Sequence, residues 1–365
     1  MIIKSIELSD YRNYDHLSME FSPGTNILFG DNAQGKTNIL EAIYVSATTK
    51  SHKGSKDRDI INFNKEEAHV RTVIEKEKVE SRIDMHLRKN KTKGLAIDGQ
   101  RVKKAADLIG LCNIVFFSPE DLGIIKNGPS ERRRFVDMEL CQLDSFYFYN
   151  LSNYNKIVEQ RNSLLKDMSF NSGLKDTLNI WDMQLVSYGS KIIERRKLFV
   201  EQLEEIIEGI HLNLSGGKEK IRIQYEPDVE IESFEDQLRA SQERDIRSKM
   251  TNVGPHRDDF SFLIGDIDIR KFGSQGQQRT AALSLKLSEI ELVKKITKDT
   301  PILLLDDVLS ELDSNRQNYL LNSIGDIQTI ITCTGLEEFV NNRFEIDKVF
   351  KVTNGSVEIM SDVKE

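Results

Sequence analysis

Apolar and polar residues alternate with a period of two at three places along this chain: Met1 to Leu8, then Val70, Thr72 and Ile74, then Ile83, Met85 and Leu87. That alternation predicts strands with one buried face. Asp98-Gly99 follows as a tight-turn signal, so residues 68–104 are expected to be antiparallel β. Asn26 to Phe29, Leu111 to Phe117 and Ile302 to Leu305 are apolar runs that read as strands of a core sheet. From about 128 to 213 the period lengthens to three or four. Leu151, Tyr154, Ile157 and Leu165 mark one helix, and Trp181, Leu185, Tyr188, Ile192, Phe199, Leu203 and Ile210 another, with a stop at Ser215-Gly216-Gly217. The β pattern returns at Ile221, Ile223 and Tyr225. The layout is α/β with an inserted helical lobe, and the expected segments are 1–125, 126–250 and 251–365.

The 365 residues suffice for about two or three domains. With 38% hydrophobic and 30% charged residues, the composition is that of an ordinary globular protein. No apolar run approaches the roughly 18 residues of a membrane span, and no leader pattern opens the chain. Cys112, Cys141 and Cys333 are odd in number and far apart. They argue for a reducing, cytoplasmic compartment and against a zinc site. A net charge of −8 gives nucleic acid no global invitation, so any contact must come from local basic patches.

Gly30-Asp31-Asn32-Ala33-Gln34-Gly35-Lys36-Thr37 fits the phosphate-loop pattern G-x-x-x-x-G-K-[ST] at every fixed position. A strand precedes it, and Ile39, Leu40 and Ile43 at helical spacing follow. Loop N–H groups and the helix N-terminus would hold phosphate, with Asn38 continuing the set. Lys36 would reach the β- and γ-phosphates of ATP, and Thr37 the Mg²⁺. The run from Pro301 ends in two carboxylates. Asp306 is placed to hold Mg²⁺ and Asp307 to orient or deprotonate water, so Lys36, Asp306 and Asp307 are the catalytic candidates.

Ahead of that strand, Ser274-Gln275-Gly276-Gln277-Gln278 opens a helix with Ala282, Leu283, Leu285, Leu287, Ile290 and Val293. Together these segments resemble the ABC-type ATPases: Ser274, Gly276 and Gln277 match the signature motif, Asp306-Asp307 the Walker B pair and Ser310-Glu311-Leu312-Asp313 the D-loop. Leu214-Ser215-Gly216-Gly217-Lys218 is closer in letters to a transporter signature. It lies much more than one helix from Asp306, and is read as a helix stop. The expected fold is therefore an ABC-type ATPase head, a mixed β-sheet with helices. In such ATPases the signature of one subunit closes over nucleotide held by another, which implies an ATP-dependent homodimer. A transporter subunit is excluded by the long insertion between Lys36 and Ser274 and by the lack of a histidine in Thr329 to Thr334. Long coiled coils and Cys-x-x-Cys hooks are also missing.

The chain resembles the RecF family of bacterial DNA replication and repair proteins. The resemblance rests on Tyr11 to Tyr14, Phe117 to Leu122, Lys126 to Asp137, Gln160 to Lys166 and Leu305 to Asp313. It implies ATP-dependent binding to double-stranded DNA and to single/double-strand junctions, slow DNA-stimulated ATP hydrolysis, and work with RecR and RecO at single-stranded gaps or stalled forks where RecA is loaded, within the response to DNA damage. A nucleotide-gated scaffold that recruits a protein partner, with DNA contact incidental, is the alternative. Arg12, with Asn13, could touch nucleotide phosphate or form a salt bridge. The DNA candidates are Arg88, Lys89, Lys91 and Lys93, which with Arg101, Lys103 and Lys104 face a single acid, Asp98, and also Arg132 and Arg133. His52, His69 and His256 have no ligand-like neighbours in sequence and are read as structural.

Overall fold

A computed structural model describes residues 1–102, 107–168, 175–336 and 345–362. β1 (Ile2–Tyr11), β2 (Tyr14–Glu20) and β3 (Thr25–Phe29) lead into α1 (Lys36–Thr48). Then come β4 (Glu67–Lys76), β5 (Val79–Arg88), β6 (Gly94–Ile97), β7 (Gln100–Arg101) and β8 (Ile114–Phe117). Four helices follow: α2 (Leu122–Lys126), α3 (Pro129–Leu143), α4 (Ser145–Asp167) and α5 (Lys175–Leu214). Next are β9 (Ile221–Glu226), α6 (Phe234–Ser248), β10 (Asp259–Ile264), β11 (Ile267–Asp268), α7 (Ile269–Phe272) and α8 (Gln275–Thr297). The chain continues through β12 (Ile302–Asp306), α9 (Ser314–Ser323), β13 (Thr329–Cys333), β14 (Lys348–Thr353) and β15 (Ser356–Asp362). The chain divides into two compact units, 1–121 with 289–365, and 122–288.

The first unit is α/β and holds two six-stranded sheets. One is antiparallel, in the order β2-β1-β4-β5-β6-β7. The other runs β15-β14-β3-β13-β12-β8, with β15 antiparallel at its edge and the rest parallel. Helix α1 packs against β1, β4 and β5 on one side and against β8, β12 and β13 on the other. It is therefore buried from Ile39 to Thr48 on every side, where the sequence pattern predicts a single apolar stripe. β12 and β13 are buried at every position, as parallel strands covered on both faces must be. Their register sets Asp306 beside Thr332 at the carboxyl ends, the edge where open α/β sheets bind ligands.

In the second unit α4 packs on α5, a helix of 40 residues and hence about 60 Å long. Buried arginines tie the helices to one another and to the segment before β10. Arg161 pairs with Asp182 and Asp245, and Arg196 with Asp137 and Asp258. The stop after α5 is as expected, with Gly216 and Gly217 at φ 66° and 78° and the Gly217 N–H donating to the Leu212 carbonyl.

The segment boundaries differ from those expected. Residues 251–288, expected with the last ATPase segment, fall in the second unit. The reason is strand pairing: β10 joins β9 from Asp259↔Glu226 to Ile264↔Ile221, in a three-stranded sheet with β11. Helix α6 also forms in a stretch whose charged sequence shows few apolar positions. Among them Phe234 and Leu238 are buried.

Candidate nucleotide-binding site

The phosphate loop joins β3 to α1, and three of its residues have positive φ: Gly30 at 154°, Ala33 at 63° and Gly35 at 111°. A Cβ on Gly30 would lie 2.3 Å from the Val352 carbonyl oxygen, and one on Gly35 would lie 2.5 Å from Asn13 Nδ2. Both positions thus require glycine. Gly30→Ala is expected to cost about 1–3 kcal/mol of stability and to release the loop from β14. Thermal unfolding and titration with a fluorescent ATP analogue check both effects; a variant that matches the parent in both measurements contradicts this account of the loop.

Two turns clamp the loop. From the β1–β2 turn, Asn13 Nδ2 donates to the Gln34 carbonyl, Tyr14 OH donates to the Gly35 carbonyl, and Asn13 Oδ1 accepts from Asn38 Nδ2. From the β14–β15 turn, the Asn354 N–H donates to Gln34 Oε1 and the Gly355 N–H to the Gln34 carbonyl. Asp31, Asn32 and Ala33 are left exposed at the loop's outer edge.

Lys36 is buried, and its Nζ donates to the carbonyls of Gly30 at 2.5 Å and Asp31 at 2.8 Å. Asp306 Oδ1 accepts from Thr37 Oγ1 and from Thr332 Oγ1, each at 2.8 Å. Asp307 follows at φ 52°, its N–H donating to Thr332 Oγ1. Burial pushes the Asp307 carboxyl above the usual carboxylate range; Asp306 and Glu311 add to the effect and Lys36 opposes it. Ser310 Oγ donates to the Asp307 carbonyl, and Asp313 caps α9.

The structure thus brings Lys36, Thr37, Asp306 and Asp307 together. Arg12 is engaged elsewhere: Nε and Nη2 both reach the Glu41 carboxylate, and Nη1 donates to the Asp59 carbonyl. Burial drives the Glu41 carboxyl up, but hydrogen bonds from Arg12 and Ser51 and the Arg12 charge outweigh it and hold it below the usual range. Of the two expectations for Arg12, the salt bridge is the one present; its neighbour Asn13 contacts the loop. Thr332 and Asn354 escaped the sequence reading, although Asn354-Gly355 is a hairpin signal.

In the second unit Ser274 and Gly276 are exposed at the start of α8. Ser274 Oγ accepts from the Gln277 N–H while Gln277 Oε1 accepts from the Ser274 N–H, a reciprocal cap that satisfies both donors at this helix end. Gln277 Nε2 also donates to Glu219.

The basic candidates separate. Arg132 is 2% exposed, grips Asp259 with Nε and Nη2, and donates to the Asn127 carbonyl, so it has no surface to offer DNA. Its place in the expected DNA set is corrected: this arginine faces an internal acid. Arg133 is half-buried and donates to the Asp258 carbonyl. Lys89 pairs with Glu66, Lys93 with Asp57, and Arg88 donates to the Thr92 carbonyl. Lys91 and Arg101 are exposed. Lys103 and Lys104 lie outside the described residues.

The family model described as RecF/RecN/SMC N terminal domain matches residues 2–358, so nearly the whole chain carries the ATPase-type head of that class. A relative from Lachnoclostridium phytofermentans, the DNA replication and repair protein RecF, is 64% identical over 358 residues, covering 98% of this chain and 99% of its own. A solved structure described as the recombination mediator protein RecF-ATP in the RecFOR pathway superposes with TM-score 0.92 at 37% identity, covering 98% of this chain and 97% of that one. An Smc head bound to the C-terminal winged-helix domain of ScpA shares the fold, with TM-score 0.58 at 17% identity over 100% of this chain and 98% of that one. The chain belongs to the RecF family of DNA replication and repair proteins. No described helix is long and apolar enough to cross a membrane.

Proposed function

We propose that the chain binds ATP with Mg²⁺ at the phosphate loop and closes on a second copy, and that the closed pair holds DNA. The observation that carries this reading is Asp306 fixed between the Thr37 and Thr332 hydroxyls, beside a buried Lys36 whose ammonium rests on loop carbonyls. On nucleotide binding Lys36 leaves the Gly30 and Asp31 carbonyls for the β- and γ-phosphates. Thr37 and Asp306 would hold Mg²⁺, which neutralises charge on the transferring phosphoryl group. Asp307 orients the attacking water. Arg12 acts through Glu41 by fixing the start of α1.

Ser274, Gly276 and Gln277 of the second copy close over the γ-phosphate, so ATP favours the closed dimer and hydrolysis releases it. The exposure of Ser274 and Gly276 supports this arrangement. DNA stimulates a slow hydrolysis. The DNA partner is a duplex or a single/double-strand junction, held through its backbone with Lys91 and Arg101 in the footprint. RecR and RecO join the dimer at gaps or stalled forks in the cytoplasm, where RecA is loaded during the response to DNA damage. The solved relative in the RecFOR pathway, described with ATP, supports the nucleotide and these partners.

Ser274→Arg tests the composite site. It is expected to retain ATP binding and lose ATP-dependent dimerisation, read by nucleotide titration and by size-exclusion chromatography with light scattering. A variant that still pairs on ATP contradicts the reading.

A further inference from the structure

His69 in β4 and His86 in β5 are direct cross-strand partners, with ring centroids 4.1 Å apart and planes at 18°. Glu67 lies two residues before His69 and so on the same face of the sheet. Its Oε2 is 2.8 Å from His86 Nε2. One ligand atom from each of the three lies within 4.8 Å of the other two. This face points away from α1, because Thr72, three residues past His69 and so on the opposite face, donates to Ser46 of that helix. His69 and His86 open on a concavity of about 540 Å³ lined also by Arg88, Arg101 and Arg71, the last paired with Glu7 and Asp84 of the same lining.

We propose that Glu67, His69 and His86 form a binding site for one divalent transition-metal ion of the zinc class. Two imidazoles and a carboxylate are the donors such ions take. Ligand atoms sharing one tetrahedral zinc stand about 3.3 Å apart, given zinc–nitrogen bonds of about 2.05 Å. Side-chain rotations at this open face close the present spacing. Three protein ligands leave one coordination position of a tetrahedral ion for water. The bound ion cross-links β4 to β5. His69 has no ligand neighbour along the sequence because its partner comes from the next strand.

The test uses the full chain, stripped with chelator, without nucleotide, and dialysed against zinc chloride. The wild-type chain is expected to retain one more equivalent of zinc than the His69→Gln/His86→Gln variant, and Zn²⁺ to raise its melting temperature but not the variant's. Glu67→Gln is expected to weaken zinc binding at least about tenfold. Circular dichroism confirms that each variant is folded. Equal zinc content in wild type and the double variant, or no uptake by the wild type, overturns the proposal.

Discussion

Asp307→Asn is expected to bind ATP and to pair on it as the parent does, while turnover falls about 10²–10⁴-fold, the usual contribution of a positioned general base. Asp307 stands one residue past the tip of a buried strand, with its N–H engaged by Thr332. Its φ of 52° lies in a region that asparagine also tolerates, so the substitution preserves the backbone. Burial raises the carboxyl's proton affinity and makes it a better base than an exposed aspartate. The folded chain therefore holds this proton more tightly than the unfolded chain does. The group is neutral to stability in acid and opposes folding as pH rises through its folded titration. Asp307→Asn is accordingly expected to melt no lower than the parent at neutral pH. Single-turnover hydrolysis and thermal unfolding against pH check the two parts. Unchanged turnover would remove Asp307 from the mechanism.

Lys36→Met is expected to weaken ATP binding about a hundredfold and, with it, all ATP-dependent pairing. Two charge-assisted hydrogen bonds to phosphate oxygens are lost, each worth about 1.5 kcal/mol. About 3 kcal/mol corresponds to two decades of affinity. Stability should change little, because methionine also removes a buried ammonium whose partners are loop carbonyls. Titration with a fluorescent ATP analogue reads the affinity directly, and an unchanged value would mean that the loop binds nucleotide without its lysine.

The parts of the site legible in the sequence are those a short segment specifies by itself. The loop is one, since its glycines, lysine and threonine are contiguous. The apolar strand ending in Asp306-Asp307 is another. That they meet follows from a parallel sheet aligning the ends of β3, β12 and β13. Thr332 was illegible because its hydroxyl reaches Asp306 through strand register, which no local pattern encodes. Arg132 reads as a DNA-facing cation, and the role of Arg12 stays open between phosphate and salt bridge, because their partners, Asp259 and Glu41, lie elsewhere in the sequence. The boundary near 250 failed for the same reason: β10 looks like the start of a returning domain until its pairing with β9 is known.

Sedimentation velocity of the full chain, run without nucleotide and then with saturating ATP and Mg²⁺, tests most directly whether ATP joins two copies. A shift from the mass of one chain to that of two, reversed as ATP is hydrolysed and absent for Lys36→Met, is the predicted result. A chain that binds ATP and still sediments as a single copy contradicts the account.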